Sequence, residues 1–268
     1  MIVKDKAKRE PGETRVAKLE IEYYTDPLCC WSWGFEPQWR RLRYEYAESL
    51  NWRYVVGGML VDWNSYNDPV NSVSKPAQMG PVWKEAKHLS GMPVNDHIWV
   101  ENPPKSSYPA CLAVKAAGRQ GPEAEEKYLR KAREAVMTDL VDISQREVLL
   151  SLAGQVAEDN PDAFDPVKFR KDLVAKSTLD LLKKDLRKVK IQGISRYPSL
   201  VIKSDSRRGV IITGYRPYEV VVQAMRQVMP DIKPSRKINL NDYKKYWSNL
   251  TERELEEVMS ENCSRYTV

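Results

Sequence analysis

At 268 residues, 30% charged and 42% apolar, the chain is long enough to bury a full core, as one large domain or one domain carrying an insertion. The opening MIVKDKAKREPGETR holds no apolar run and no membrane-length span follows it, which excludes a secretory signal and a membrane partner and predicts a cytoplasmic protein. Four cysteines and two histidines make neither a disulfide framework nor a zinc set, and the net charge of +6 comes without a nucleic-acid-binding motif or a concentrated basic stripe, so neither metal nor nucleic acid is expected.

Residues 1–16 read as a loose polar arm. Residues 17–24 (AKLEIEYY) alternate apolar and polar side chains of β-favouring types, which predicts a strand. Pro27 ends it, and beyond Ser32 the period changes: Phe35, Trp39, Leu42, Tyr46 and Leu50 share one helical face. Residues 51–58 (NWRYVVGG) read as a second strand broken by its glycine pair. Strand, crossover helix and strand suggest a right-handed βαβ unit with parallel strands.

Strand signals then vanish. A polar loop spans 63–75, and a helix with Met79, Val82, Trp83, Ala86 and Leu89 on one face follows. After an irregular stretch at 91–104, Ser106 and Ser107 are N-cap candidates for a helix through Ala110, Leu112, Val114 and Ala117. Pro122 starts a helix running towards Leu140, and 144–147 (SQRE) has capping-box spacing for the next. These helices form an inserted block. Asp165 and Pro166 predict the N-cap and first turn of a long helix to about Lys190, with Phe169, Leu173, Leu181, Leu182, Leu186 and Val189 on its face and its lysines solvated. Residues 193–198 (GISRYP) lead into strands at 199–203 and 209–213, joined by a turn at 204–208 as a hairpin. A last core helix carries Val220, Val221, Ala224, Met225 and Val228. Beyond Pro230 and Pro234, one short helix carries Tyr243, Tyr246, Trp247 and Leu250, and another opens with the capping-box pattern 251–254 (TERE). The aromatic residues predict that this tail docks.

Cys29 falls where the first strand hands over to a helix. Free backbone N–H groups and the positive end of the helix dipole would there favour its thiolate, lowering the pKa to roughly 3.5–7. Cys111 lies on an apolar face and reads as a small buried residue, whereas Cys263 falls in the terminal tail and is expected to be exposed. Trp31, Trp33, Tyr24 and Tyr108 either line an apolar groove beside Cys29 or belong to the core, and core is expected for most of them. His88 and His97 read as structural or surface residues.

The element order, with 25–37 (TDPLCCWSWGFEP) after the first strand and 195–202 (SRYPSLVI) late in the chain, resembles the DsbA-like family of the thioredoxin superfamily. The segments 106–117 (SSYPACLAVKAA) and 212–225 (ITGYRPYEVVVQAM) add to the likeness, which covers about 17–229. It implies an α/β, thioredoxin-like fold with an inserted all-helical domain. The thioredoxin-like part would comprise 17–61 and 162–229 and the insertion 62–161, leaving 1–16 as an arm and 230–268 as a helical tail. The resemblance also implies a nucleophile at Cys29 and a cis peptide at Tyr197–Pro198, with the Tyr197 backbone free to pair with an extended substrate. Cys30, Trp31 and Tyr197 are then substrate-binding candidates beside the catalytic candidates Cys29, Ser32 and Pro198.

Ser32 stands where the family's dithiol enzymes carry a second cysteine, and three outcomes stay open. The protein is a monothiol thiol-disulfide oxidoreductase or isomerase, with glutathione or substrate thiols releasing a thiol or disulfide substrate of protein or small-molecule type. Or Cys30 resolves in place of residue 32, through a strained bond between neighbours. Or the groove has become a binding surface, as in DsbA-like adaptors for a bacterial protease. Glutathione-dependent transferases and isomerases of this family hold the glutathione sulfur with a serine, but at the position of Cys29. The Ser32 hydroxyl either donates to a thiolate or caps a helical turn. Glutathione enters as a co-substrate, with no tightly bound cofactor expected.

Overall fold

The structure, a computed structural model, describes residues 18–204 and 209–259. The arm at 1–16, most of the turn at 204–208 and Cys263 lie outside the described residues. The alternating first segment forms β1 (Leu19–Thr25) at the centre of a four-stranded sheet. It pairs in parallel with β2 (Leu50–Val56), Tyr23 lying opposite Tyr54, and antiparallel with β3 (Ser199–Lys203), Tyr23 opposite Leu200. β3 then pairs antiparallel with β4 (Gly209–Thr213), giving the order β2-β1-β3-β4.

Successive β1 side chains point to opposite faces, and both faces are covered. Tyr23 packs edge-on against Trp39 at 5.0 Å, while Tyr24 joins Val55 and Val201 under Val189, Ile194 and Tyr197. The single helix expected after Cys29 is two: α1 (Cys30–Gly34) and α2 (Glu36–Glu45). Pro37 has no N–H for the carbonyl four residues back, so the helix restarts at Phe35. Leu50 leaves the expected helical face altogether and opens β2 opposite Leu19.

Between β2 and β3 lie α3 (Met79–Ser90), α4 (Ile98–Glu101), α5 (Tyr108–Gly118), α6 (Pro122–Met137), α7 (Arg146–Asp159), α8 (Pro166–Leu173) and α9 (Lys176–Ile191). Asp165 caps α8 as expected, its carboxylate accepting the N–H groups of Val167 and Lys168. The long helix predicted to follow is broken at Val174 and Ala175, where the chain turns from packing on α7 to packing on β2. The SQRE box does not form. Ser144 Oγ accepts from Lys105 N instead, and Asp142 takes the Ser144 N–H. Leu89 and Leu181, placed on apolar faces by periodicity, are both exposed.

After β4, α10 (Tyr218–Val228) returns to the sheet, and α11 (Leu240–Tyr246) and α12 (Glu252–Met259) dock on α2. Here the capping box is real: Glu254 accepts the Thr251 N–H at 2.7 Å and donates its own N–H to Thr251 Oγ1. Tyr243, Trp247 and Val258 form a small core with Tyr44. No helix among the described residues is long and apolar enough to cross a membrane.

Candidate functional site around Cys29

Cys29 is the extended N-cap residue of α1, held by its own N–H to the Asp26 carbonyl at 3.1 Å. Its Sγ accepts the Ser32 N–H at 3.3 Å and donates to the Tyr197 carbonyl at 3.5 Å. Tyr197–Pro198 is cis, as expected, and so the two motifs meet across 168 residues of chain. The residue is nonetheless only 4% exposed. Burial pushes the Cys29 thiol above its ordinary value, more than the Ser32 hydroxyl and N–H and the Arg133 guanidinium pull it down, and the nearby Asp26 carboxyl adds to the rise. This direction runs against the activated thiolate expected at a helix N-terminus. α1 has only five residues and offers the sulfur one backbone N–H, too little to offset its removal from water.

Ser32 is fully buried, and its hydroxyl has no hydrogen-bond partner among the described residues. Both its hydroxyl and its backbone N–H nonetheless favour the Cys29 thiolate, the N–H lying 3.3 Å from the sulfur. Cys30 is corrected too. It is 3% exposed within the main core, where burial pushes its thiol well up and leaves it little surface for a substrate. Trp31 is half-buried, its ring 6.0 Å from that of Tyr215. Pro198 is buried, and its carbonyl accepts the Gly214 N–H. Tyr197 is half-buried; its hydroxyl donates to the Gly57 carbonyl, and the carbonyl expected to serve a substrate is taken by Cys29. Gly57 is required here, because a Cβ would lie 2.1 Å from the Tyr197 ring.

The other aromatic candidates divide. Trp33 and Tyr24 are core residues, Trp33 lying under the Arg130 guanidinium at 4.4 Å, whereas Tyr108 is half-buried beside Gly58. His88 and His97 are exposed, and Cys111 is buried. Among the described residues no cluster of three or more His, Cys, Asp or Glu side chains is placed to hold a metal ion.

Two residues under the site escaped the sequence reading. Asp26 is fully buried and accepts from Leu28 N, Met59 N, Ser107 Oγ and Cys111 Sγ. It ties the Cys29 turn to the end of β2 and to α5, and burial raises its pKa. The Asp-Pro pair just before the cysteines is its only local sign. Arg133, also fully buried, donates to Glu36 and Thr25 and places a positive charge near the sulfur. Nothing local marks it, since its partners lie 97 and 108 residues away. A cavity of about 550 Å³ opens elsewhere, between Arg43, Trp52, Lys131 and Trp247, and its lining includes none of Cys29, Ser32 or Tyr197.

A family model described as thioredoxin matches residues 23–223. The ClpXP adapter protein SpxH of Halalkalibacterium halodurans is 31% identical over 220 residues, covering 81% of this chain and 70% of that protein. SpxH of Bacillus subtilis is 26% identical over 242 residues, covering 88% and 77%. Among solved structures, one from Nitrosomonas europaea described as a protein disulfide isomerase superposes with a TM-score of 0.64 at 25% identity, over 80% of this chain and 96% of that one. The cytosolic disulfide reductase DsbM of Pseudomonas aeruginosa is similar in fold, with a TM-score of 0.57 at 17% identity over 85% and 96%.

Proposed function

This chain belongs to the thioredoxin family, in the DsbA-like branch and together with the SpxH proteins, and on that premise we propose that it is an adapter. It holds a partner protein on the surface beside Tyr197 and Pro198 and hands it to a protease of the ClpXP type in the bacterial cytoplasm. The observation that carries this reading is Ser32 in place of a second thiol, beside a Cys29 that is only 4% exposed. A dithiol cycle needs an attacking thiolate and a second thiol to expel the product; burial opposes the first, and Ser32 stands in the place of the second. The 31% identity to an adapter protein agrees.

The test begins with a photo-cross-linking amino acid at Trp31, which tags the partners of the groove. Their degradation by purified ClpXP is then timed with and without the chain. The adapter reading expects faster degradation, retained when Cys29 is changed to serine. No acceleration, together with a glutathione-linked disulfide reduction that Cys29→Ser abolishes, overturns it.

That second outcome is the signature of a monothiol oxidoreductase or isomerase with glutathione as co-substrate. Its support is the sulfur at the family's nucleophile position, 3.3 Å from the Ser32 N–H.

A further inference from the structure

Residues 166–196 contain ten lysines and arginines and three aspartates, so this one stretch carries more than the whole chain's net charge of +6. Folding sharpens the imbalance. Asp172 is buried against Arg119 and Lys168, and Asp185 against Lys115, which leaves Asp180 as the only exposed acid of the stretch. The cations fare differently: Lys176, Lys183, Lys184, Arg187 and Lys190 are exposed on α9, and no carboxylate among the described residues lies within ion-pair range of them. Residues 176, 179, 183, 187 and 190 recur at three and four, a single stripe about 21 Å long at 1.5 Å per residue. Leu179, 41% exposed, interrupts the charges, and Ile191 ends the stripe 73% exposed. Periodicity alone places these lysines on a solvated face, and the fold gathers them into one stripe.

We propose that the outer face of α9 is a docking surface for an acidic amphipathic helix of a partner protein. Charge complementarity selects the acidic partner, and the apolar side chains among the lysine stems select one with an apolar strip of its own. A nucleic acid fits less well: the stripe carries no aromatic ring to stack on a base, and Leu179 and Ile191 gain nothing from phosphate. The stripe also leads to the Cys29 site, because α9 runs through 192–196 directly into Tyr197. A helix lying on α9 would bring its neighbouring chain to that wall. The surface takes its purpose from the adapter reading, but its chemistry stands independently.

The probe is a fluorescein-labelled helical peptide of about four turns, with glutamates flanking a leucine strip at helical spacing, titrated with the full chain and read by anisotropy. The triple variant Lys183→Glu, Lys184→Glu, Arg187→Glu should bind it about ten-fold or more weakly, because three exposed attractions become repulsions. Leu179→Ser should weaken it about three-fold, and both variants should melt as the parent does, since every position is exposed. Binding that the reversals leave unchanged overturns the proposal. So does equal binding of a glutamate peptide built on glycine and serine, or tighter binding of a short DNA duplex or of phosphatidylglycerol vesicles. The ClpXP assay is read separately: if degradation is not accelerated while the peptide results hold, the adapter reading fails and the docking surface stands.

Discussion

Removal from water opposes the Cys29 thiolate, and the Asp26 carboxyl adds to that; the Ser32 hydroxyl and N–H and Arg133 pull the other way and lose. The balance favours the thiol, which donates to the Tyr197 carbonyl. Its alkylation by iodoacetamide, followed by peptide mapping against pH, is expected to show a midpoint above that of a free cysteine at about 8.5. A midpoint well below neutrality would restore the activated nucleophile and with it the enzyme reading. Cys30 is expected to react only when the chain unfolds, since it lies in the core with its thiol pushed up further still.

Among the elements, β1 is held by more than its ladders. Burial raises the Glu22 carboxyl, but Lys188 of α9 and Arg53 of β2 pull it down to about 2, and Lys203 of β3 approaches at 3.7 Å. A carboxyl depressed in the folded state contributes stability above its unfolded pKa, and loses it as pH falls through the folded one. Glu22 thus stabilises fully above about pH 4.5, and its contribution fades between there and about 2. Glu22→Gln is expected to cost about 1–2 kcal/mol at pH 7, discounted for partial exposure, and close to nothing near pH 2. Urea melts of both proteins across that range check it, and an equal difference at both ends would refute the linkage.

For the whole molecule, the carboxyl of Glu254 joins the tail to the rest. It is fully buried, with Arg130 of α6 at 2.8 Å and Arg40 of α2 at 3.2 Å, while Arg130 also reaches Glu134. Burial would raise its pKa, and the two guanidinium groups outweigh this and lower it. Truncating one partner of such a buried network leaves charges uncompensated, so Glu254→Ala is expected to cost about 3–5 kcal/mol. Limited proteolysis should then cut first near 230–239, as the tail loses its anchor. Unaltered cleavage and stability would show that Tyr243 and Trp247 hold the tail without it.

Much of this protein was legible in its residues, for a physical reason. Alternation at 17–24, the helical period after Ser32, and the Pro and Gly boundaries are local consequences of backbone geometry, so the parallel βαβ unit, the helical block, the hairpin and the docking tail could all be read. Even the cis bond at Pro198 followed from a motif and its place in the order. What escaped depends on groups far apart in the chain. Whether Cys29 is a thiol or a thiolate turns on burial and on the distant Arg133; its sulfur meets Tyr197, 168 residues on, and the Asp26 knot needs Ser107, 81 residues away. A strand-to-helix junction announces a cysteine's place, but its protonation is a property of the solvent it has lost. The α9 stripe likewise became visible only when folding hid Asp172 and Asp185 and left the lysines outside, because an ion pair depends on distance in space and a sequence lists only distance along the chain.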